Sequence, residues 1–172
     1  MPKILSFAGS NSSTSINYNF LQYIKQYYIH DMDLLDLRTF EVPMYGIDQE
    51  NESGIPKTIV ELNNLIKDAE ILLLATSEHN GSYSSYFKST IDWLSRLDRD
   101  FCKDKVVIIV GTSNGRGGAA SSIELSKRLL ERLGANVIGT FSLPSLGHVF
   151  ENDRLIEEQE LRLSQFISQL PL

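Results

Sequence analysis

Residues 9–17 read Gly-Ser-Asn-Ser-Ser-Thr-Ser-Ile-Asn, with five hydroxyls in nine positions and no charge. A short apolar stretch, Ile4-Leu5-Ser6-Phe7-Ala8, precedes this run, and Tyr18-Asn19-Phe20-Leu21 follows it. That order predicts strand, loop, helix. A loop that opens a helix presents unpaired backbone N–H groups at the positive end of the helix dipole. Ser and Thr hydroxyls add donors. Such a site suits a phosphate. No Lys or Arg stands between Lys3 and Lys25, so the loop offers only neutral donors. The plainer reading of the same hydroxyls is helix capping.

Two further stretches have similar character. Ser77-Glu78-His79-Asn80-Gly81-Ser82 contains an Asn-Gly pair, the mark of a sharp turn. Exposed amides across Glu78, His79, Asn80, Gly81 and Ser82 suit the edge of a planar heterocycle. Thr112-Ser113-Asn114-Gly115-Arg116-Gly117-Gly118 carries glycines that let backbone approach a flat ligand closely. Ser113, Asn114, Gly115 and Arg116 are candidates there. Arg116 could meet negative charge on a bound group, or simply be solvated at a helix start.

These loops need a scaffold. Strands are predicted at residues 3–8, 33–37, 71–76, 106–111 and 136–143. Ile71-Leu72-Leu73-Leu74-Ala75 and Val106-Val107-Ile108-Ile109-Val110 are continuous apolar runs, the pattern of parallel strands buried on both faces. Helices are predicted at 15–28, 56–68, 83–97, 118–133 and 156–170. The last carries an apolar stripe of Leu161, Leu163, Phe166, Ile167 and Leu170. Residues 38–55, with Pro43, Gly46 and Gly54, read as a long surface excursion. Strands alternating with helices give a three-layer α/β fold in one domain, 1–172. We expect a five-stranded parallel sheet of order 2-1-3-4-5. The loops after strands 1, 3 and 4 then leave from one carboxyl edge, beside the switch point where such sheets bind ligands.

Composition narrows the function. Acidic residues number 22 and basic residues 16, for a net charge of −6, which argues against a nucleic-acid partner or adhesion to anionic membranes. Cys102 is the only cysteine, which excludes an internal disulfide, and nothing near it marks a lowered pKa. His30, His79 and His148 are scattered and predict no metal site. With no signal-peptide pattern before Ile4 and no apolar run of bilayer length, the expected location is the cytoplasm.

Gly9-Ser10 followed by Ser15 and Asn17 resembles the phosphate loop of the NAD(P)H-dependent FMN reductases. Glu78-His79-Asn80-Gly81-Ser82, then Phe87-Lys88 and Ile91-Asp92-Trp93, resembles that family's flavin-ring loop and the helix after it. Gly117-Gly118 is similar to its third loop. The resemblance implies a flavodoxin-like fold, bound FMN with its phosphate held by Ser10, Ser12, Ser15, Ile16 and Asn17, and NADH or NADPH as electron donor. It also implies two-electron transfer to a small acceptor such as a flavin, quinone, azo compound or metal oxyanion, and a homodimer or homotetramer. No protein nucleophile or general base is implied, so no catalytic side chain is assigned. The sequence departs from the pattern at Ser12, where the family often has Arg, at Ser77 in place of Pro, and at His79 in place of Tyr. A flavodoxin-like electron carrier, without reductase activity of its own, is the alternative reading.

Overall fold

A computed structural model describes residues 2–172. The chain opens with β1 (Ile4–Ala8), α1 (Ile16–Tyr27) and β2 (Asp33–Leu35). The excursion holds α2 (Ile47–Ser53), and α3 (Lys57–Asp68) leads into β3 (Ile71–Thr76). A small hairpin of β4 (Glu78–His79) and β5 (Ser82–Tyr83) comes next, then α4 (Ser85–Leu97) and β6 (Val106–Thr112). The last part runs α5 (Ala120–Arg132), β7 (Asn136–Leu143), a hairpin of β8 (Phe150–Glu151) and β9 (Arg154–Leu155), and α6 (Glu157–Ser168).

The main sheet is parallel throughout, in the order β2-β1-β3-β6-β7. Once the two-residue hairpin strands are set aside, this is the order 2-1-3-4-5 expected from sequence. Register runs Ile4 against Ile71 and Ile71 against Val106, so the three central strands, β1, β3 and β6, start level with one another. Side chains alternate along each strand and feed two separate cores. Leu5, Phe7, Leu72, Leu74, Val107 and Ile109 face α3, α4 and α5. Ile4, Ile71, Leu73, Ile108 and Val110 face α1 and α6. The result is the flavodoxin-like three-layer arrangement.

Several boundaries move for identifiable reasons. The second strand stops at Leu35, because Asp36 accepts from the Arg38 amide at 3.0 Å and opens a 3-10 turn over Leu37–Thr39. The fourth helix starts at Ser85, since Ser82 and Tyr83 are drawn into the hairpin and the Ser84 hydroxyl caps the Phe87 amide at 3.0 Å. The fifth helix starts at Ala120, two residues late, because Gly118 and Ala119 both take left-handed backbone, with φ of 55° and 64°. Leu161 does not join the stripe of α6: it is 58% exposed, whereas Leu163 is fully buried.

The excursion is docked rather than loose. Tyr86, Ser89, Trp93 and Arg96 recur along one stripe of α4 and each holds part of it. The Tyr86 hydroxyl donates to the Leu37 and Phe40 carbonyls at 2.7 and 3.1 Å. Ser89 Oγ and Trp93 Nε1 both donate to the Pro43 carbonyl at 2.9 Å. Arg96 pairs with Glu50 of α2 at 2.9 Å.

Candidate functional site

The carboxyl ends of β1, β3 and β6 bring the three polar loops together. They surround a cleft of about 340 Å³ lined by Ser10, Ser12, Thr14, Ser15, Ile16, Asn17, Ser77, Glu78, His79, Thr112, Ser113 and Asn114. Nine of the sequence candidates therefore share one cleft. Asn80, Gly81, Ser82, Gly115 and Arg116 lie outside its lining. Asn80 and Gly81 form the tip of the β4–β5 hairpin, both at positive φ (51° and 74°), as a tight two-residue turn requires. Arg116 is exposed on the third loop. Thr14, Ser77 and Thr112 line the cleft and were not singled out from sequence. Their signal was position: each stands in or beside a loop already marked as polar.

The first loop folds on its own hydroxyls. Ser10 Oγ accepts from the Ser12 amide at 3.2 Å, and Ser12 Oγ accepts from the Thr14 amide at 3.3 Å. Ser15 caps α1 by accepting from the Tyr18 amide at 3.2 Å. The first two helical amides, Ile16 and Asn17, have no partner among the described residues. They are the free donors that an anion at a helix N-terminus would use. Gly9 fixes the entry to the loop: its amide donates to the Ala75 carbonyl at 2.8 Å, and its carbonyl accepts from Ser84 Oγ at 2.7 Å. A Cβ there would come within 2.5 Å of the Phe87 ring, so only glycine fits.

Asn17 ties the loops to one another. Its side chain is buried, and its Oδ1 accepts from the Thr112 amide at 2.9 Å. Its Nδ2 donates to the Thr112 carbonyl at 3.2 Å and makes a longer 3.4 Å contact with Ser77 Oγ. Both amide hydrogens are thereby engaged, which leaves the backbone N–H as the part of Asn17 free to meet a ligand.

Glu78 also has a defined task. Its Oε2 accepts from the Ser121 and Ser122 amides at 3.1 and 3.2 Å. The residue before α5, Ala119, has no side chain able to cap, so a carboxylate from the neighbouring hairpin does so. This also sets the carboxylate that lines the cleft at the positive end of a helix dipole. The third loop is latched from behind: Leu146 and Ser145 amides donate to the Ser113 and Gly115 carbonyls at 3.0 and 2.9 Å.

The donor set therefore fits a phosphorylated planar ligand: hydroxyls and free amides at one end, backbone-rich loops at the other. Cys102 lies elsewhere, buried beneath the end of α5. Desolvation pushes its thiol up to about 11, so it has no nucleophilic role at neutral pH.

The profile of the family described as NADPH-dependent FMN reductase matches residues 2–146. The chain belongs to the NADPH-dependent FMN reductase family. Membership makes it an oxidoreductase whose cofactors are FMN and NAD(P)H. An uncharacterized protein of Mycoplasma pneumoniae is 31% identical over 144 residues, covering 80% of this chain and 83% of its own. A quinone reductase of Escherichia coli is 35% identical over 91 residues, 52% of this chain, and the match spans about half, 48%, of that enzyme's length. Among solved structures, FerB, a flavoenzyme NAD(P)H:(acceptor) oxidoreductase from Paracoccus denitrificans, superposes with a TM-score of 0.79 at 22% identity. That match covers 98% of this chain and 94% of FerB, and it bears on the fold.

Proposed function

We propose that this FMN reductase family member holds FMN in the cleft and uses it to pass two electrons from NAD(P)H to a small acceptor. The observation that carries the reading is the pair of unpartnered amides, Ile16 and Asn17, facing a hydroxyl-lined cleft at the β1–β3 switch point. Ser10, Ser12 and Ser15, with the Ile16 and Asn17 backbone, would hold the phosphate. Glu78 and His79, with the hairpin tip of Asn80, Gly81 and Ser82, would border the ring on one side. Ser113, Asn114, Gly115 and Arg116 would border it on the other. FMN, when bound, supplies the hydride and electron chemistry. The protein's part is positional: Asn17 and Glu78 hold the three loops in register, and α1 offers its dipole to the phosphate. No side chain is assigned a proton-transfer step. The acceptor class is a flavin, quinone, azo compound or metal oxyanion; the match to the Escherichia coli quinone reductase favours the quinone.

The same reading has the whole chain act as one unit in the cytoplasm, as a homodimer or homotetramer. Among the described residues no helix is long and apolar enough to cross a membrane. Met44 and Ile47, 76% and 55% exposed, are apolar surface that an interface would cover. Sedimentation across a concentration series tests the assembly.

The visible spectrum of the protein with added FMN, followed by anaerobic NADPH, tests the chemistry. A bound-flavin spectrum that bleaches on NADPH addition is expected. Binding without bleaching would point to an electron carrier. No binding at saturating FMN would overturn the reading.

A further inference from the structure

The first loop contains no basic residue, yet a cation reaches it from another strand. Arg38 stands just after β2, the strand beside β1. Its Nη1 donates to the Ser13 carbonyl at 2.9 Å. Its guanidinium carbon lies 4.5 Å from the centroid of the Tyr18 ring, on the first turn of α1. Asp36 takes the other edge of the fork, accepting from Nε at 2.7 Å and from Nη2 at 2.6 Å. Asp36 is itself fixed by the Arg38 amide at 3.0 Å, so the whole group is braced from both ends. A guanidinium has five N–H bonds. Three are engaged here, and one each on Nη1 and Nη2 has no partner among the described residues.

We propose that Arg38 supplies the positive charge the phosphate loop lacks, and so selects phosphorylated over unphosphorylated flavin. The inference rests on the FMN reading of the cleft. Asp36 occupies the Nε–Nη2 edge while Nη1 holds the Ser13 carbonyl, so Arg38 stands behind the loop, outside the cleft lining, and acts on the phosphate by charge across it. The stack on Tyr18 prevents the cation from swinging into solvent. Arg38 is a positioning and specificity residue, acting by charge and by its hold on Ser13.

The test compares FMN and riboflavin binding, by quenching of flavin fluorescence, in the wild type, Arg38→Gln and Arg38→Lys. Arg38→Gln should weaken FMN about threefold to fivefold, the size of a partly exposed charge interaction, and leave riboflavin unchanged. It should also flatten the dependence of FMN affinity on salt, and Arg38→Lys should restore most of that dependence. Unchanged riboflavin binding serves as the control for folding. A loss of FMN affinity with an unaltered salt slope would mean that Arg38 only shapes the loop, and would overturn the proposal. So would an unchanged FMN-to-riboflavin ratio in Arg38→Gln. Equal wild-type affinity for FMN and riboflavin would instead overturn the phosphate site itself, and the Arg38 role with it.

Discussion

At the scale of single residues, this site is built by side chains serving backbone rather than by side chains aimed at a ligand. Asn17 replaces a missing strand neighbour for Thr112, matching both its N–H and its C=O. Asn17→Leu would keep the volume and strand both backbone groups in a buried place. We expect a loss of about 2–3 kcal/mol in urea unfolding, since each unpaired buried group costs about 1–3 kcal/mol. A loss below about 0.5 kcal/mol would show that water or a local shift replaces the clasp. Glu78 caps a helix that has no cap of its own. Glu78→Ala should cost about 1 kcal/mol, the usual worth of an N-cap, and Glu78→Gln should recover more than half because it keeps the accepting oxygen. Equal losses in the two variants would show that the charge, and not the hydrogen bonds, carries the effect. The sequence marked both residues as important. It could not say that Asn17 would spend its amide on Thr112, because the two are 95 positions apart. Arg38 was invisible as a site residue for the same reason: nothing in its local sequence points to Ser13.

At the scale of elements, α4 is the organiser. Its N-cap, Ser84, reaches back to Gly9, and its Phe87 forbids any side chain there. Further along, the stripe from Tyr86 to Arg96 fastens the excursion. The predicted long surface segment is thus a docked one, because hydroxyl and indole donors on α4 satisfy its carbonyls. Tyr86 provides a pH test of this docking. Burial, with the nearby Asp36 charge second, raises its phenol from 10.0 to about 12. The folded value lies above the unfolded one, so the contribution is complete below pH 10 and is lost as pH rises toward about 12. Tyr86→Phe should therefore show a shallower fall in melting temperature between pH 10 and 12 than the wild type, measured by circular dichroism. An identical alkaline limb would exclude a role for Tyr86. A residual fall is expected in the variant, because burial and its bond to Glu160 also raise Tyr23 to about 12. Tyr28, bonded to the same carboxylate at 2.6 Å, is shifted in the same direction. These two bonds and the Arg154 pair fasten α6 to the rest of its layer.

At the scale of the whole molecule, the cleft lies where chain segments from opposite halves meet, so filling it should stabilise the entire fold. FMN at 100 times its dissociation constant should add about 2.7 kcal/mol of stability. For a chain of 172 residues that corresponds to a rise in melting temperature of roughly 5–10 °C. Riboflavin at the same concentration should give a smaller rise; equal shifts would mean that the phosphate end contributes nothing. By itself the sequence determined the layer arrangement and narrowed the strand order to a few, among them the one observed. Continuous apolar runs require burial on both faces, and right-handed crossovers leave few ways to connect parallel strands. It also determined the three loops and the family they resemble, because hydroxyl, glycine and Asn-Gly patterns are local signals. Tertiary structure alone decided which atoms of those loops remain free, since that depends on partners distant in sequence. It engaged Asn17's side chain on Thr112 and Glu78's on α5, and left the Ile16 and Asn17 amides open. It also brought Arg38, from the turn after β2, to a loop that carries no charge of its own. The physical reason is the parallel register: β2, β1, β3 and β6 end at one edge, so residues far apart along the chain are neighbours there.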